Sequence, residues 1–219
     1  MTTQRLWGAD EAGRGPIIGP MAIAIVGVDR RATRALNRLA VADSKSYGHG
    51  EEAIAKRREL ALRIAEIVPC YRIRVVDVAE IDRYTYRGQL NALERLVVSQ
   101  LLRDAGAERD AKVICDGERL FSPLRQQFPR LRAVNDGESA HVSVAAASIL
   151  AKDARDAAFA VIASRYEAQF GPIRGGGYIN AGTKRFLAAY REVHGDLPPE
   201  ARRSWGADKI DGNLELFEL

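Results

Sequence analysis

Trp7-Gly8-Ala9-Asp10-Glu11-Ala12-Gly13-Arg14-Gly15-Pro16-Ile17-Ile18-Gly19-Pro20 sets two acids and an arginine among glycines and prolines, a composition foreign to an ordinary core segment. The apolar entry Leu6-Trp7 heads one strand and the run Met21–Val28 forms the next, which places the acids and glycines at a strand end or turn. Glycine there removes side-chain bulk and lets a backbone or a ligand come close. Successive residues on a flat strand face opposite ways, so Asp10 and Glu11 share one site only if the strand bends or ends near them. Ala12-Gly13 permits such a bend. Local sequence leaves a second reading of about equal weight, a tight turn with solvated acids and Arg14 paired to one of them.

The chain has 219 residues, enough for a full core in one main domain. Hydrophobic residues make up 47% and charged residues 28%, the profile of a globular rather than a disordered chain. The longest apolar run, Met21–Val28, is far too short to span a membrane, and the polar N-terminus has no signal-peptide core. A cytoplasmic enzyme or binding protein is the expectation. Cys70 and Cys115 are too few for a disulfide scaffold or a zinc site and read as reduced fillers on buried strands. A net charge of +4 and a pI near 9.2 mildly favour a polyanionic partner.

Beyond the second strand, residues 30–42 are basic with helical spacing and lead into the polar loop Asp43-Ser44-Lys45-Ser46-Tyr47-Gly48-His49-Gly50. Ser44 and Lys45 could hold a phosphate there, or the loop could simply cap the next helix. Residues 51–68 carry Ile54, Leu60, Ile64 and Ile67 at helical intervals and form a surface helix. Residues 70–78 alternate Tyr71, Ile73 and Val75 with arginines, a strand with one wet face. A turn over 79–82 precedes an apolar helix over 90–105. Lys112-Val113-Ile114-Cys115-Asp116-Gly117 is a buried strand ending on an acid, costly without a partner or metal unless Asp116 merely caps the turn. A brief helix over 122–127, a strand over 131–134 and the acidic loop 135–141 follow. A long helix over 142–170 has the small residues Ala145-Ala146-Ala147 to lie close against a sheet, and its charges Lys152, Arg155 and Asp156 read as a solvated flank. Gly175-Gly176-Gly177-Tyr178 is a flexible break, and residues 183–193 form a last amphipathic helix. The order of elements is that of an α/β protein with a mixed sheet.

Three distant segments each bring carboxylates to a strand end or its loop: Asp10 with Glu11, Asp116, and Asp136 or Glu138. Gathered like charges repel, and hard oxygen donors without a His/Cys set point to magnesium or manganese rather than zinc. Two such ions roughly 4 Å apart can activate a water and steady the leaving oxygen of a phosphodiester. His49, His141 and His194 are scattered, and no Ser-His-Asp set is discernible. Gly13-x-Gly15-x-x-x-Gly19 is not a dinucleotide fingerprint, since its spacing is wrong, Pro16 interrupts it and a strand follows where a helix is required. A P-loop is absent.

The stretch Asp10-Glu11-Ala12-Gly13-Arg14-Gly15-Pro16 with Gly19-Pro20, then Asp43-Ser44-Lys45, Cys115-Asp116-Gly117, Ala145-Ala146-Ala147-Ser148-Ile149-Leu150-Ala151-Lys152, Gly177-Tyr178 and Arg202-Arg203-Ser204, together resemble ribonuclease HII in the same order. The resemblance implies a ribonuclease H-like fold, α/β with a mixed central sheet flanked by helices and a C-terminal helical portion. Residues 1–170 would be the catalytic domain and 171–219 a helical extension packed on it as one unit. It further implies a monomeric, metal-dependent endoribonuclease using two divalent ions, Mn²⁺ or Mg²⁺. Its substrates would be the RNA strand of RNA/DNA hybrids and single ribonucleotides in duplex DNA, its products 5′-phosphate and 3′-hydroxyl ends. Alternatives are a ribonuclease HIII-like enzyme, a junction-resolving nuclease, or a catalytically silent hybrid binder.

Asp10, Glu11 and Asp116 match the family's first three catalytic acids and metal ligands. At the fourth position Glu138 stands where aspartate is usual. One methylene longer, it keeps the role with a shifted backbone or cedes it to Asp136; Glu138 is preferred. By the same resemblance Gly13, Arg14 and Gly15 place backbone against the 2′-hydroxyl, the group that tells RNA from DNA. Tyr178 would stack on the sugar of the next deoxynucleotide, its plainer reading being a core or hinge aromatic. Lys45 with Ser44, and Ser148 with Lys152, would hold phosphates. The tail Asn213-Leu214-Glu215-Leu216-Phe217 is similar to peptides that dock sliding clamps, although an amphipathic end packed on the domain is the favoured reading.

Overall fold

The computed structural model describes residues 5–39, 41 and 50–205; Ser44, Lys45 and the 213–217 tail lie outside them. Five strands, β1 (Leu6–Ala12), β2 (Met21–Val28), β3 (Cys70–Val76), β4 (Lys112–Asp116) and β5 (Leu131–Val134), form one sheet in the order β3-β2-β1-β4-β5. β1 runs antiparallel to β2 and parallel to β4, which is parallel to β5, so the sheet is mixed. Among the described residues the α-helices are α1 (Arg30–Arg38), α2 (Glu51–Ile67), α3 (Val78–Thr85), α4 (Leu90–Asp104), α5 (Glu118–Phe121), α6 (Gly137–Ala140), α7 (Val142–Phe170) and α8 (Ala181–His194). No described helix is long and apolar enough to cross a membrane.

The chain divides into two compact units, the first comprising residues 1–12, 22–75 and 91–154. Every residue of β2 is buried, which accounts for its unbroken apolar run. Val26 and Val28 of β2, Leu36 of α1, Leu60 and Ile64 of α2, and Ala145, Ala146, Ile149 and Leu150 of α7 share one core. α7 lies so close to β1 that a Cβ on Gly8 would stand 2.5 Å from the Val144 backbone nitrogen. Small residues on both sides of that contact permit the approach.

The second unit comprises residues 13–21, 76–90 and 155–219. Its core gathers Ile17, Ile18, Phe159, Ile162, Phe186 and Leu187. Tyr166, Phe170 and Tyr190 add tilted and edge-on ring contacts at centroid distances from 5.1 to 6.4 Å. Tyr166 donates to Glu200 at 2.6 Å, and Arg203 forks onto Asp196 with two bonds of 2.9 Å.

Several elements depart from expectation. Residues 79–82 are not a turn but lie within α3, because Asp77 caps it by accepting from the Glu80 N–H at 2.7 Å. The preceding strand therefore ends at Val76. In α2 Ile54 is exposed, and the buried stripe is Ala53, Leu60, Ala61 and Ile64. Cys115 is buried, but Cys70 opens the edge strand β3 and is only partly covered.

Candidate active site

The pairing of β1 with β4 runs from Leu6↔Lys112 to Ala9↔Cys115, and the next residue on each strand is an acid, Asp10 and Asp116. Both stand where the parallel pairing of β1 with β4 gives out, on the side where open α/β sheets place their ligands. β1 does not end at Asp10: its pairing with β2 continues through Glu11↔Ile23 to Ala12↔Ala22. The Asp10 carboxylate turns back to accept from the Glu11 backbone N–H at 2.8 Å, and it feels the Glu11 charge without any chain reversal between them.

Asp10 is 7% exposed. Burial first, then the charges of Glu11 and Asp116, push its carboxyl up to about 8, against the opposing hydrogen bonds of Ser148 and the Glu11 backbone. The buried Cys115 thiol registers the same field, its ionisation driven up by burial and then by Asp10, Glu11 and Asp116. The fourth-acid loop makes three hydrogen bonds here. The Gly137 N–H donates to Asp116 Oδ1 at 3.1 Å, and Glu138 Oε2 accepts from the Ser148 hydroxyl at 2.7 Å and from Lys152 Nζ at 3.2 Å. Ser148 thus borders both Asp10 and Glu138, and its single proton can serve one of them at a time. Asp136 is exposed and adopts a left-handed conformation, φ 55° and ψ 35°, at the start of α6. Aspartate tolerates that conformation better than most residues, and the turn it makes leads into Glu138.

Among the described residues no three of these carboxylates stand close enough to enclose a cation as they are. The donor set nevertheless fits a hard divalent ion in kind, being all oxygen. Asp10, ionised only at a cost, is a group that a cation would relieve.

The second unit holds Gly13, Arg14, Gly15 and Tyr178. Gly13 has φ +81° and its Cα faces the stem of Arg155, while a Cβ on Gly15 would sit 3.2 Å from Tyr178 Cε1. Tyr178 is 50% exposed, so it is not a core aromatic, and its ring lies over the Gly15 backbone. Arg155, expected as a solvated flank, is instead 4% exposed. Its guanidinium lies 5.0 Å from the Phe159 ring centroid and 5.8 Å from that of Tyr178, and donates to the Gly176 carbonyl. Burial lowers its pKa. Arg202, quoted above only as part of a motif, is fully buried and donates to the carbonyls of Gly13, Arg14 and Gly19. An arginine in an exposed-looking sequence gives no local sign of such burial; only the acceptors, distant in sequence, explain it.

The ribonuclease HII family model matches residues 7–207. Ribonuclease HII of Thermococcus sibiricus is 34% identical over 219 residues, covering 96% of this chain and 93% of that protein. Ribonuclease H2 from Pyrococcus horikoshii superposes with a TM-score of 0.76 at 28% identity, over 96% of this chain and 99% of that one. Ribonuclease HII from Archaeoglobus fulgidus, solved in complex with PCNA, superposes with a TM-score of 0.74 at 25% identity, over 92% and 95%. With the sheet order, the acids at its carboxyl ends and this match over nearly the whole length, the chain belongs to the ribonuclease HII family, endoribonucleases of ribonuclease H-like fold.

Proposed function

We propose that this ribonuclease H cuts the RNA strand of RNA/DNA hybrids and single ribonucleotides embedded in duplex DNA, leaving 5′-phosphate and 3′-hydroxyl ends. Asp10, Glu11, Asp116 and Glu138 would hold two divalent ions, Mg²⁺ or Mn²⁺. The observation that carries this reading is Asp10, buried beside two further acids with its carboxyl pushed up to about 8. A divalent cation offsets both the desolvation and the repulsion that such a carboxylate suffers. When bound, the ions supply an activated water and stabilise the charge that develops on the phosphate.

The chain's own residues do the rest. Ser148 and Lys152 orient Glu138, which supports Glu138 over Asp136 as the fourth acid. Lys152 has three protons to donate, so it can hold Glu138 and still meet a phosphate. The Gly13-Arg14-Gly15 backbone reads the 2′-hydroxyl, and the half-exposed Tyr178 stacks on the neighbouring deoxyribose. Ser44 and Lys45 add phosphate contacts.

Duplexes with one ribonucleotide, with four, and with none test the reading in Mg²⁺, in Mn²⁺ and in chelator. Cutting of the first two, only with metal and leaving a 5′-phosphate, is expected. Cutting of the four-ribonucleotide duplex alone would replace it with a ribonuclease HIII-like activity, and tight binding without cutting would leave a silent binder. The 213–217 tail, similar to clamp-docking peptides, is proposed to tether the enzyme to a sliding clamp, as an archaeal relative has been captured with PCNA. Removing residues 213–219 should abolish clamp capture and leave cleavage of free duplex intact; unchanged capture removes the idea.

A further inference from the structure

A guanidinium keeps its charge at any physiological pH, so one removed from water must have its donors satisfied. Arg202 is 0% exposed. Its Nε donates to the Gly19 carbonyl at 2.9 Å, Nη1 to the Arg14 carbonyl at 2.9 Å and Nη2 to the Gly13 carbonyl at 2.5 Å. The Trp205 ring covers one face, its centroid 4.9 Å from Cζ. Burial, with the nearby charge of Arg155, lowers the pKa to about 10, which leaves it protonated at neutral pH. The backbone reinforces the arrangement: the Arg202 N–H donates to Ile17 O and the Gly19 N–H to Glu200 O, each at 2.8 Å. Residues 17–19 are thus held by main-chain bonds, and residues 13–14 by the guanidinium.

Two of the three acceptors, the Gly13 and Arg14 carbonyls, belong to consecutive peptides, and every described peptide bond is trans. A trans peptide points its C=O and N–H in opposite directions. With the carbonyls of Gly13 and Arg14 drawn toward Arg202, the N–H groups of Arg14 and Gly15 face the other way. We infer that Arg202 is a positioning residue for ribose recognition, its three-point grip on the 13–19 loop aiming the Arg14 and Gly15 amides at the 2′-hydroxyl. This rests on the reading above, in which the loop meets that hydroxyl. Lysine cannot reproduce the grip, since its charge is a point and its donors are not a planar fork.

The test compares Arg202→Lys and Arg202→Gln with Phe186→Leu, a core change in the same unit. Each full-length variant is measured for thermal melting, for kcat/KM on the one-ribonucleotide duplex, and, in chelator, for the ratio of affinities for that duplex and its all-DNA counterpart. Both Arg202 variants should lose at least tenfold in the affinity ratio and more in kcat/KM, while Phe186→Leu melts earlier with its ratio within twofold of wild type. Folded Arg202 variants that keep the wild-type ratio would overturn the inference. Wild-type protein that neither cuts nor prefers the ribonucleotide duplex would instead sink the parent reading. Should neither variant fold, NMR of the wild type decides: the Arg202 guanidinium protons should shift with the one-ribonucleotide duplex and not with all-DNA. An equal response to both counts against the assignment.

Discussion

At Asp10 function and stability pull in opposite directions. Burial, then the charge of Glu11, pushes its carboxyl from the ordinary 3.8 up to about 8, so the folded chain binds this proton more tightly than the unfolded one. The resulting stability is full below pH 3.8 and drains away as pH rises toward 8. Asp10→Asn removes the drain. In chelator at pH 8 this variant should melt a few degrees above wild type, a shift of about 2–4 °C for each kcal/mol in a chain of this size. Added Mn²⁺ should raise the wild-type melting temperature more than that of Asp10→Asn. Differential scanning fluorimetry across pH 5 to 9 checks both, and coincident melting at pH 8 would mean the acids do not burden the apo fold. The same variant should lose turnover by a factor of about 10³ or more with substrate binding kept, since on the proposed reading it removes a metal ligand and no phosphate contact. The fourth acid is a sharper comparison. Glu138→Gln, altering the residue that Ser148 and Lys152 grip, should lower kcat at least about a hundredfold. Asp136→Asn keeps the left-handed turn and should stay within tenfold; the reverse ranking would reassign the position. The sequence left these two acids unresolved because both precede α7 by a few residues, and only the structure shows that Asp136 makes the left-handed turn and that Glu138 meets Ser148 and Lys152.

The elements that set this geometry meet at Gly8. Any side chain there would collide with the backbone at the start of α7, which rotamer changes cannot relieve. Gly8→Ala should therefore cost about 3 kcal/mol or more and lower the melting temperature by roughly 6–12 °C, with kcat falling as α7 and its Ser148 and Lys152 shift. Thermal melting with parallel kinetics measures it, and a variant melting within a degree of wild type would contradict the packing. The bounds of α7 and β5 were legible because the alanine-rich helical spacing of one and the alternation of Leu131 and Ala133 with Arg132 in the other carry their own periodicity. α3 was also written in the sequence, as Asp77 and Glu80 at the first and fourth positions of a capping box, but Val78 prolonged the strand pattern and hid it. The buried arginines were not legible at all. Arg155 sits at helical spacing among charges, and its burial depends on Gly176, Phe159 and Tyr178 arriving from elsewhere in the chain.

On the scale of the whole molecule two kinds of recognition must be separable, because they rest on different physics. A net charge of +4 on 219 residues, with 33 lysines and arginines, favours any polyanion. Phosphate contacts release counterions and so weaken steeply with salt, regardless of which sugar the strand carries. The 2′-hydroxyl is neutral, and backbone amides aimed at it gain nothing from counterion release. Affinity for duplex should therefore fall steeply with salt while the preference for a ribonucleotide does not. Fluorescence anisotropy of Asp10→Asn with one-ribonucleotide and all-DNA duplexes, from about 50 to 200 mM KCl, should give parallel lines of log affinity against log salt, with a slope near −0.9 per phosphate engaged. Lines that converge as salt rises would mean that the preference is itself electrostatic, carried by a charged side chain such as Arg14 rather than by the backbone of the 13–15 loop.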